Sequence, residues 1–442
     1  MESVLFQPVT ALLMDPAHTA LGDAYVGVRE GKIVWVSTEK PAEPFDRVIR
    51  GGILMPGLIN CHGHIAMTAF RGYGAGHDLQ TWLSEYIWPV ERRWDDKAIR
   101  ACTDLGLMEQ IAAGTTCVTD MYYRQDVVAQ ALLSGGISGH LSVGGVWFGA
   151  DEDFSVEKCW DCGDQVRLVK TWHNADGGRI RVDASLHGVY TSTPALWEWT
   201  ADFAGSQGLN LQVHVSETRR EHRECREKYG LTPVQVLDRH GVWDGAARSL
   251  AVHCVWTEPE DWAIMAEKRV SAVHVPGSNL KLGSGMFRLK PLRDAGVNLT
   301  LGTDGVSSND GADLFSDMKL AALVQSGLTL DPQAVTARQV LDMATVNAAK
   351  ALGRNTGSIA LGKDADLILL DPDAPNLVPC HDPYSNAVYA AQGGNVTLNM
   401  CRGRILYEKG EFLTIDRERT LAQVREYALP LLFSPQNPNE RQ

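Results

Sequence analysis

The middle of the chain alternates short β-type runs with longer stretches whose apolar residues recur at helical spacing, and this alternation restricts the fold more than any other feature. Eight β-type runs can be counted: "ILMPGLINCHGH", "GTTCVTDM", "ISGHLSVGGV", "RIRVDASLHGV", "LNLQVHVSET", "SLAVHCVW", "RVSAVHVPGSN" and "VNLTLGTDGV". Segments between them, such as 96–114 and 232–241, read as helices. Strands that alternate with helices imply parallel β/α units. Eight such units is the count of an α/β fold closed into a (β/α)₈ barrel of the TIM type.

Almost every run ends in a side chain able to ligate metal or move a proton: His62 and His64, Asp120, His187, His214 with Glu217, His253, His274 and Asp304. In a barrel the C-terminal strand ends converge on one rim, so these distant residues become neighbours. His62 and His64 are separated by one residue, which turns both imidazoles to one face of a strand, about 7 Å apart along the backbone. Three imidazoles (His62, His64, His214) and the Asp304 carboxylate suit one divalent ion and leave room for water. Such an ion lowers the pKa of water from about 15.7 towards 7. Zinc is the first expectation, with iron and manganese as alternatives.

The first 56 residues read as short strands with a turn at Glu30-Gly31, and a similar texture returns in 357–371 and 396–412. Neither end is large enough to bury a core alone. Residues 1–56 plus 357–420 are therefore expected to form one small β-sandwich domain, 57–356 the barrel, and 421–442 a C-terminal helix and tail.

With 54 acidic against 41 basic residues, a net charge of −13 and no Lys/Arg run, nucleic acid is a poor candidate partner. The start lacks a basic, apolar, cleavable leader, and no 18 apolar residues run together, so a cytoplasmic protein away from membranes is expected. Nine scattered cysteines fit reduced thiols. Cys159 and Cys162 have C-x-x-C spacing, but with no second pair this is a weak signal for redox chemistry or zinc. His18, His77, His140, His173, His222, His240 and His381 are read as core or surface residues.

Five stretches, "PGLINCHGH", "HVSETRRE", "AVHCVW", "HVPGSNLKLGSG" and "LGTDGVSSND", resemble the amidohydrolase superfamily, in order and over essentially the whole chain. More narrowly they resemble its S-adenosylhomocysteine/5′-methylthioadenosine deaminase branch, of the ATZ/TRZ type. The resemblance makes His62, His64, His214 and Asp304 the metal ligands. It makes Glu217 the proton shuttle between water and a ring nitrogen, His253 the group that orients the hydroxide, and Asp304 also the base that passes a proton to departing ammonia. It points to Glu91 for the ribose hydroxyls and His187 for the purine edge. Trp82 and Trp88 are placed as pocket walls, and Ser308 and the segment around Asn279 as shaping the site. Asp120 is read equally as a buttress of the barrel. The resembling family also implies a homo-oligomer acting on a small molecule.

Departures bear on the substrate. No arginine lies between His140 and Phe154, and a homocysteine carboxylate would meet Asp151, Glu152 and Asp153 if that loop reached the pocket. Gly277 stands where relatives often carry a larger residue, and "VDASLHGVY" has no lysine to bridge two ions. The reading is a hydrolytic deaminase of an adenosine-type nucleoside, close to methylthioadenosine or adenosine. Its rivals are a deaminase of a free heterocycle (pterin, guanine or triazine) and a metal-binding homologue without catalysis. Glu91 separates the first two, since a free base offers it no ribose.

Overall fold

The computed structural model describes residues 2–434. Strands β1 (Val4–Leu12), β2 (Ala20–Arg29), β3 (Lys32–Ser37), β4 (Arg47–Ile49) and β5 (Ile53–Pro56) come first. The middle holds β6 (Leu58–Gly63), β7 (Thr115–Met121), β8 (Ser138–Ser142), β9 (Ile180–Val182), β10 (Ala184–Gly188), β11 (Leu211–Val215), β12 (Ser249–His253), β13 (Val270–His274) and β14 (Asn298–Leu301). β15 (Leu367–Leu370), β16 (Val396–Cys401), β17 (Arg404–Glu408) and β18 (Glu411–Phe412) follow.

Both ends of the chain contribute to one nine-stranded sheet, in the order β18-β17-β16-β15-β5-β1-β2-β3 with β4 beside β1. The join is β15 against β5, antiparallel, with Leu369 opposite Leu54. Glu30 and Gly31 both take positive φ, 50° and 75°, as the type I′ turn between β2 and β3 requires. Phe6, Val26, Leu54, Leu367 and Met400 pack as the core of this sheet.

The middle strands are parallel, in two sheets, β6-β7-β8-β9 and β10-β11-β12-β13-β14. β7, β8 and β11 to β13 are buried along their whole length, as parallel strands covered on both faces must be. Ile59 and Cys61 of β6, Cys117 of β7, Leu250 and Val252 of β12 and Val273 of β13 share one buried cluster with Ala348, Ala349 and Leu352. The Asp304 N–H, just past β14, donates to the His62 carbonyl of β6 at 3.0 Å.

Several expectations are corrected in detail. The run "ILMPGLINCHGH" is two strands divided at Gly57, with β5 in the terminal sheet and β6 in the parallel one. A Cβ at Gly57 would lie 2.2 Å from the Thr116 side chain, which fills the space that any larger residue would need. "RIRVDASLHGV" is likewise divided at Asp183, whose N–H reaches back to the Leu141 carbonyl and whose carboxylate bonds to His140. The expected helices appear as Asp96–Ala112, capped by Asp95, and Pro233–Arg239, opened by a Thr232/Gln235 capping box. The C-terminal helix starts at Arg417 rather than 421, because Asp416 caps it. Residues 435–442 of the expected tail lie outside the described residues. No helix among the described residues is long and apolar enough to cross a membrane.

Candidate active site

His62 is the fifth residue of β6 and His64 follows its end; their ring centroids are 4.8 Å apart. His214 of β11 brings its Nε2 to 3.0 Å from that of His62. Asp304, beyond β14, places Oδ1 3.5 Å from His62 Nε2 and 3.2 Å from His64 Nε2. Spacings of this size suit a coordination sphere with bonds of about 2.0–2.2 Å. Two overlapping groups of ligand atoms result, His62/His64/Asp304 and His62/His214/His253, with His62 in both.

The surroundings prepare these groups as ligands. His64 Nδ1 donates to the Met121 carbonyl at 2.5 Å and His214 Nδ1 to the His187 carbonyl at 2.7 Å. The tautomers assigned from these bonds turn both Nε2 lone pairs inward. Ser278 Oγ donates to Asp304 Oδ2 at 2.6 Å, and the Gly305 N–H donates to its Oδ1. Burial pulls His62 down to about 4 and His214 well below the usual imidazole range, leaving neutral donors. Burial also acts against the His64 imidazolium, but the bond and charge of Asp304 outweigh it and lift His64 to about 9. Burial opposes the Asp304 carboxylate too, and His62 and His64 outweigh it, holding the group well below the usual carboxylate range. The pocket thus calls for positive charge beside Asp304, which a divalent ion would supply in place of the His64 proton. The donor set fits such an ion.

Facing this cluster, Glu217 is 3% exposed and its Oε1 has no partner among the described residues. Burial first and the Asp304 charge second raise it to about 8. His253 Nε2 stands 3.7 Å from Glu217 Oε2, and its Nδ1 donates to Asn279 Oδ1 at 3.0 Å. A carboxyl that titrates close to neutral pH can both take up and give up a proton, which suits general acid–base work.

The cluster floors an inner chamber of about 90 Å³ that shares a wall with an outer one of about 750 Å³. His64, His214, Glu217, His253 and Asp304 reach the inner chamber, as do Trp82, Trp88, Glu91, His187 and Ser308; His62 is buried beneath them. Trp88, Glu91, Tyr123, Val146 and His187 border both chambers. The Glu91 carboxyl accepts the Tyr122 hydroxyl proton and is pushed up to about 7, chiefly by burial.

Two residues named from strand ends lie elsewhere. Asp120 accepts the Ile65 N–H and the Gln125 amide, both at 2.6 Å, and is a buttress. His274 is buried against Phe287, with ring centroids 4.3 Å apart, and borders neither chamber. The seven histidines read as core or surface all stay outside both chambers. Repulsion by the 151–153 loop is corrected: these residues line neither chamber, and Asp151 is turned to the Ala195 N–H. Charge in the outer chamber comes instead from Arg92, Arg124 and Arg167, with Asp96, Asp126, Asp161 and Asp164 among them. Gly277 is required by Asn309, whose Oδ1 would lie 2.2 Å from an added Cβ.

Sequence reasoning missed Tyr122 and Glu221. Glu221 is buried and accepts the Ser216 N–H at 3.0 Å and the Glu217 N–H at 2.7 Å, fixing the turn that presents Glu217. The T-x-x-E spacing from Thr218 is a capping-box signal, and Thr218 does cap Glu221; the carboxylate, however, reaches further back than that motif implies.

The Amidohydrolase family profile matches residues 53–406. A 5-methylthioadenosine/S-adenosylhomocysteine deaminase of Dictyoglomus thermophilum is 38% identical over 400 residues, covering 90% of this chain and 92% of its own. A 5′-deoxyadenosine deaminase of Methanosphaera stadtmanae is 38% identical over 397 residues, 89% and 92% of the two chains. Among solved structures, an adenosine deaminase from Xanthomonas campestris with bound zinc superposes with a TM-score of 0.90 at 30% identity, covering 97% of this chain and 98% of that one. An atrazine chlorohydrolase from Arthrobacter aurescens complexed with zinc gives 0.88 at 26% identity, with 97% and 100% covered. With parallel β/α architecture, a histidine and aspartate cluster at the strand ends and a profile match over most of its length, the chain belongs to the amidohydrolase family.

Proposed function

We propose that the protein deaminates an adenosine-type nucleoside by metal-dependent hydrolysis, with one divalent ion, zinc first, held by His62, His64, His214 and Asp304. The observation that carries this reading is the Glu217–His253 pair set against the ligand cluster at the floor of a chamber whose mouth holds Glu91. The relatives named as 5′-deoxyadenosine and methylthioadenosine deaminases support the substrate class. When bound, the ion supplies Lewis acidity, making a water nucleophilic near neutral pH.

Glu217 takes a proton from the attacking water and delivers it to a ring nitrogen of the base. His253, fixed through Asn279, offers Nε2 to orient that water. The water oxygen bonds to the ring carbon that bears the amino group; Asp304 takes the remaining hydroxyl proton and passes it to the amino group, the C–N bond breaks, and ammonia leaves as a carbonyl forms. Trp82 and Trp88 wall the base from solvent, His187 meets its edge, and Ser308 lies on the same wall. Glu91, at the boundary of the chambers, receives the ribose hydroxyls and directs the 5′ substituent outward. The outer chamber has the size and mixed charge for a substituent on that carbon, which favours a nucleoside over a free base.

The reading includes a closed (β/α)₈ barrel over 57–356. It is supported by the single-residue gap between β9 and β10, the shared cluster of β6, β7, β12 and β13, and the Asp304-to-His62 backbone bond. A small β-sandwich of 1–56 plus 357–420 is supported by the joint terminal sheet and its own core.

The test is ammonia release by the zinc-loaded protein across adenosine, 5′-deoxyadenosine, methylthioadenosine, guanine and a pterin. Turnover of the nucleosides is expected, with Glu91→Gln losing far more of it than of any free-base activity. A preference for a free base, or silence across the panel, would overturn the reading.

A further inference from the structure

Cys159 and Cys162 take no part in the chemistry above. Cys159 precedes the helix Trp160–Trp172 and Cys162 lies in its first turn. Their sulfurs are 2.8 Å apart, with Cys162 directed at Cys159, and both side chains are buried. That is within roughly 0.8 Å of the 2.05 Å length of a disulfide bond. The groups of three or more potential metal ligands among the described residues are both in the active site, so the pair is not part of a zinc centre.

The turn between the sulfurs belongs to the outer chamber. Trp160 and Asp161 line it, and Trp160 is 64% exposed. Asp161 Oδ2 accepts the Val146 N–H at 3.0 Å, and Val146 borders both chambers. A bond between the cysteines would fix this part of the wall.

We infer that Cys159 and Cys162 are a redox modification site, closing to a reversible disulfide directly beneath the Trp160–Asp161 wall of the outer chamber. The Cys162 thiol donates to Cys159 and holds it below the usual thiol range against burial, while the same contact and burial push Cys162 up. Cys159 is therefore the attacking sulfur. With hydrogen peroxide as oxidant, the Cys159 thiolate bonds to one peroxide oxygen, the O–O bond breaks and the departing hydroxide is protonated to water, leaving a sulfenic acid. The Cys162 sulfur then bonds to Cys159, the S–O bond breaks, and a second water leaves with the Cys162 proton. Two thiols lose two electrons and one peroxide becomes two waters. A dithiol reductant reverses the step by exchange.

The experiment reads mass rather than turnover, so its outcome is independent of the deaminase reading. Zinc-loaded full-length protein, freed of reductant, is treated with graded hydrogen peroxide, denatured in N-ethylmaleimide and digested. The peptide holding both cysteines should become lighter by two hydrogens and escape alkylation, at doses below those that oxidise the exposed Cys380, and dithiothreitol should restore it. In Cys162→Ser, Cys159 should stop at a sulfenic acid that dimedone traps. The inference is overturned if both thiols remain alkylatable in the wild type once Cys380 is oxidised, or if Cys159 passes to a sulfinic acid with no disulfide. Should Cys162→Ser fail to fold, the wild-type result decides alone.

Discussion

At the residue level, the site is held on backbone that side chains ordinarily avoid. Ser216, His253, Cys254 and Asp304 have φ of 53°, 73°, 49° and 62°. Such conformations cost about 1–3 kcal/mol each and persist only where neighbours enforce them. The enforcing bonds are visible: Asp304 N–H to His62, Cys254 N–H to Val215, and Glu221 on the Ser216 and Glu217 N–H groups. Glu221→Ala leaves two buried donors without an acceptor, so a loss of about 1–3 kcal/mol in urea unfolding is expected. The same variant should lower kcat more than it raises KM, with partial recovery in Glu221→Gln, which keeps one acceptor. Glu217→Gln should cost about 10²–10⁴-fold in kcat while bound zinc, measured by elemental analysis, is unchanged. The gathering of His62, His64, His214 and Asp304 was legible in the sequence because each member ends an apolar run. Glu221 was not, since its capping spacing gave no sign that its carboxylate would turn back to the preceding loop.

Among the elements, the breaks rather than the strands carry new information. The apolar run from Ile53 is interrupted only by Pro56-Gly57, a local break that marks the passage from one sheet to the other, and the Thr116 side chain of β7 fills the space beside Gly57. Gly57→Ala should cost about 1–3 kcal/mol in chemical denaturation by overpacking, partly relieved by Thr116→Ala. The break at Asp183 is non-local, being set by His140 on β8. Asp317, in the helix Leu314–Thr329, ties that helix to the Gly277 N–H and the Asn309 amide. Burial raises it to about 8 from an unfolded value near 4. The folded chain therefore keeps a proton that the unfolded chain releases, and stability falls as pH rises from about 4 to 8. Asp317→Asn should flatten that slope by up to about 1.4 kcal/mol per pH unit, measured by urea unfolding at pH 5, 6, 7 and 8.

For the molecule as a whole, the proposed ion would couple metal binding to folding, because its proposed ligands come from β6, β11 and the segment after β14. Chelation should lower Tm and added zinc restore it, by about 4 kcal/mol of stabilisation when free zinc is a thousandfold above Kd. The parallel β/α plan and the joining of the two chain ends were legible because periodicity and turn residues are local signals. The arginines of the outer chamber were not, since Arg92, Arg124 and Arg167 come from three separate segments. Their chamber is about 750 Å³ against about 90 Å³ for the inner one. On the proposed reading, the bond to be broken and the far end of the ligand are thus overseen by different side chains. Drift at Arg92, Phe148 or Trp160 would then retune which appendage is welcomed while the proposed ion site and Glu217 stay untouched, so descendants of this scaffold would change diet and keep one reaction.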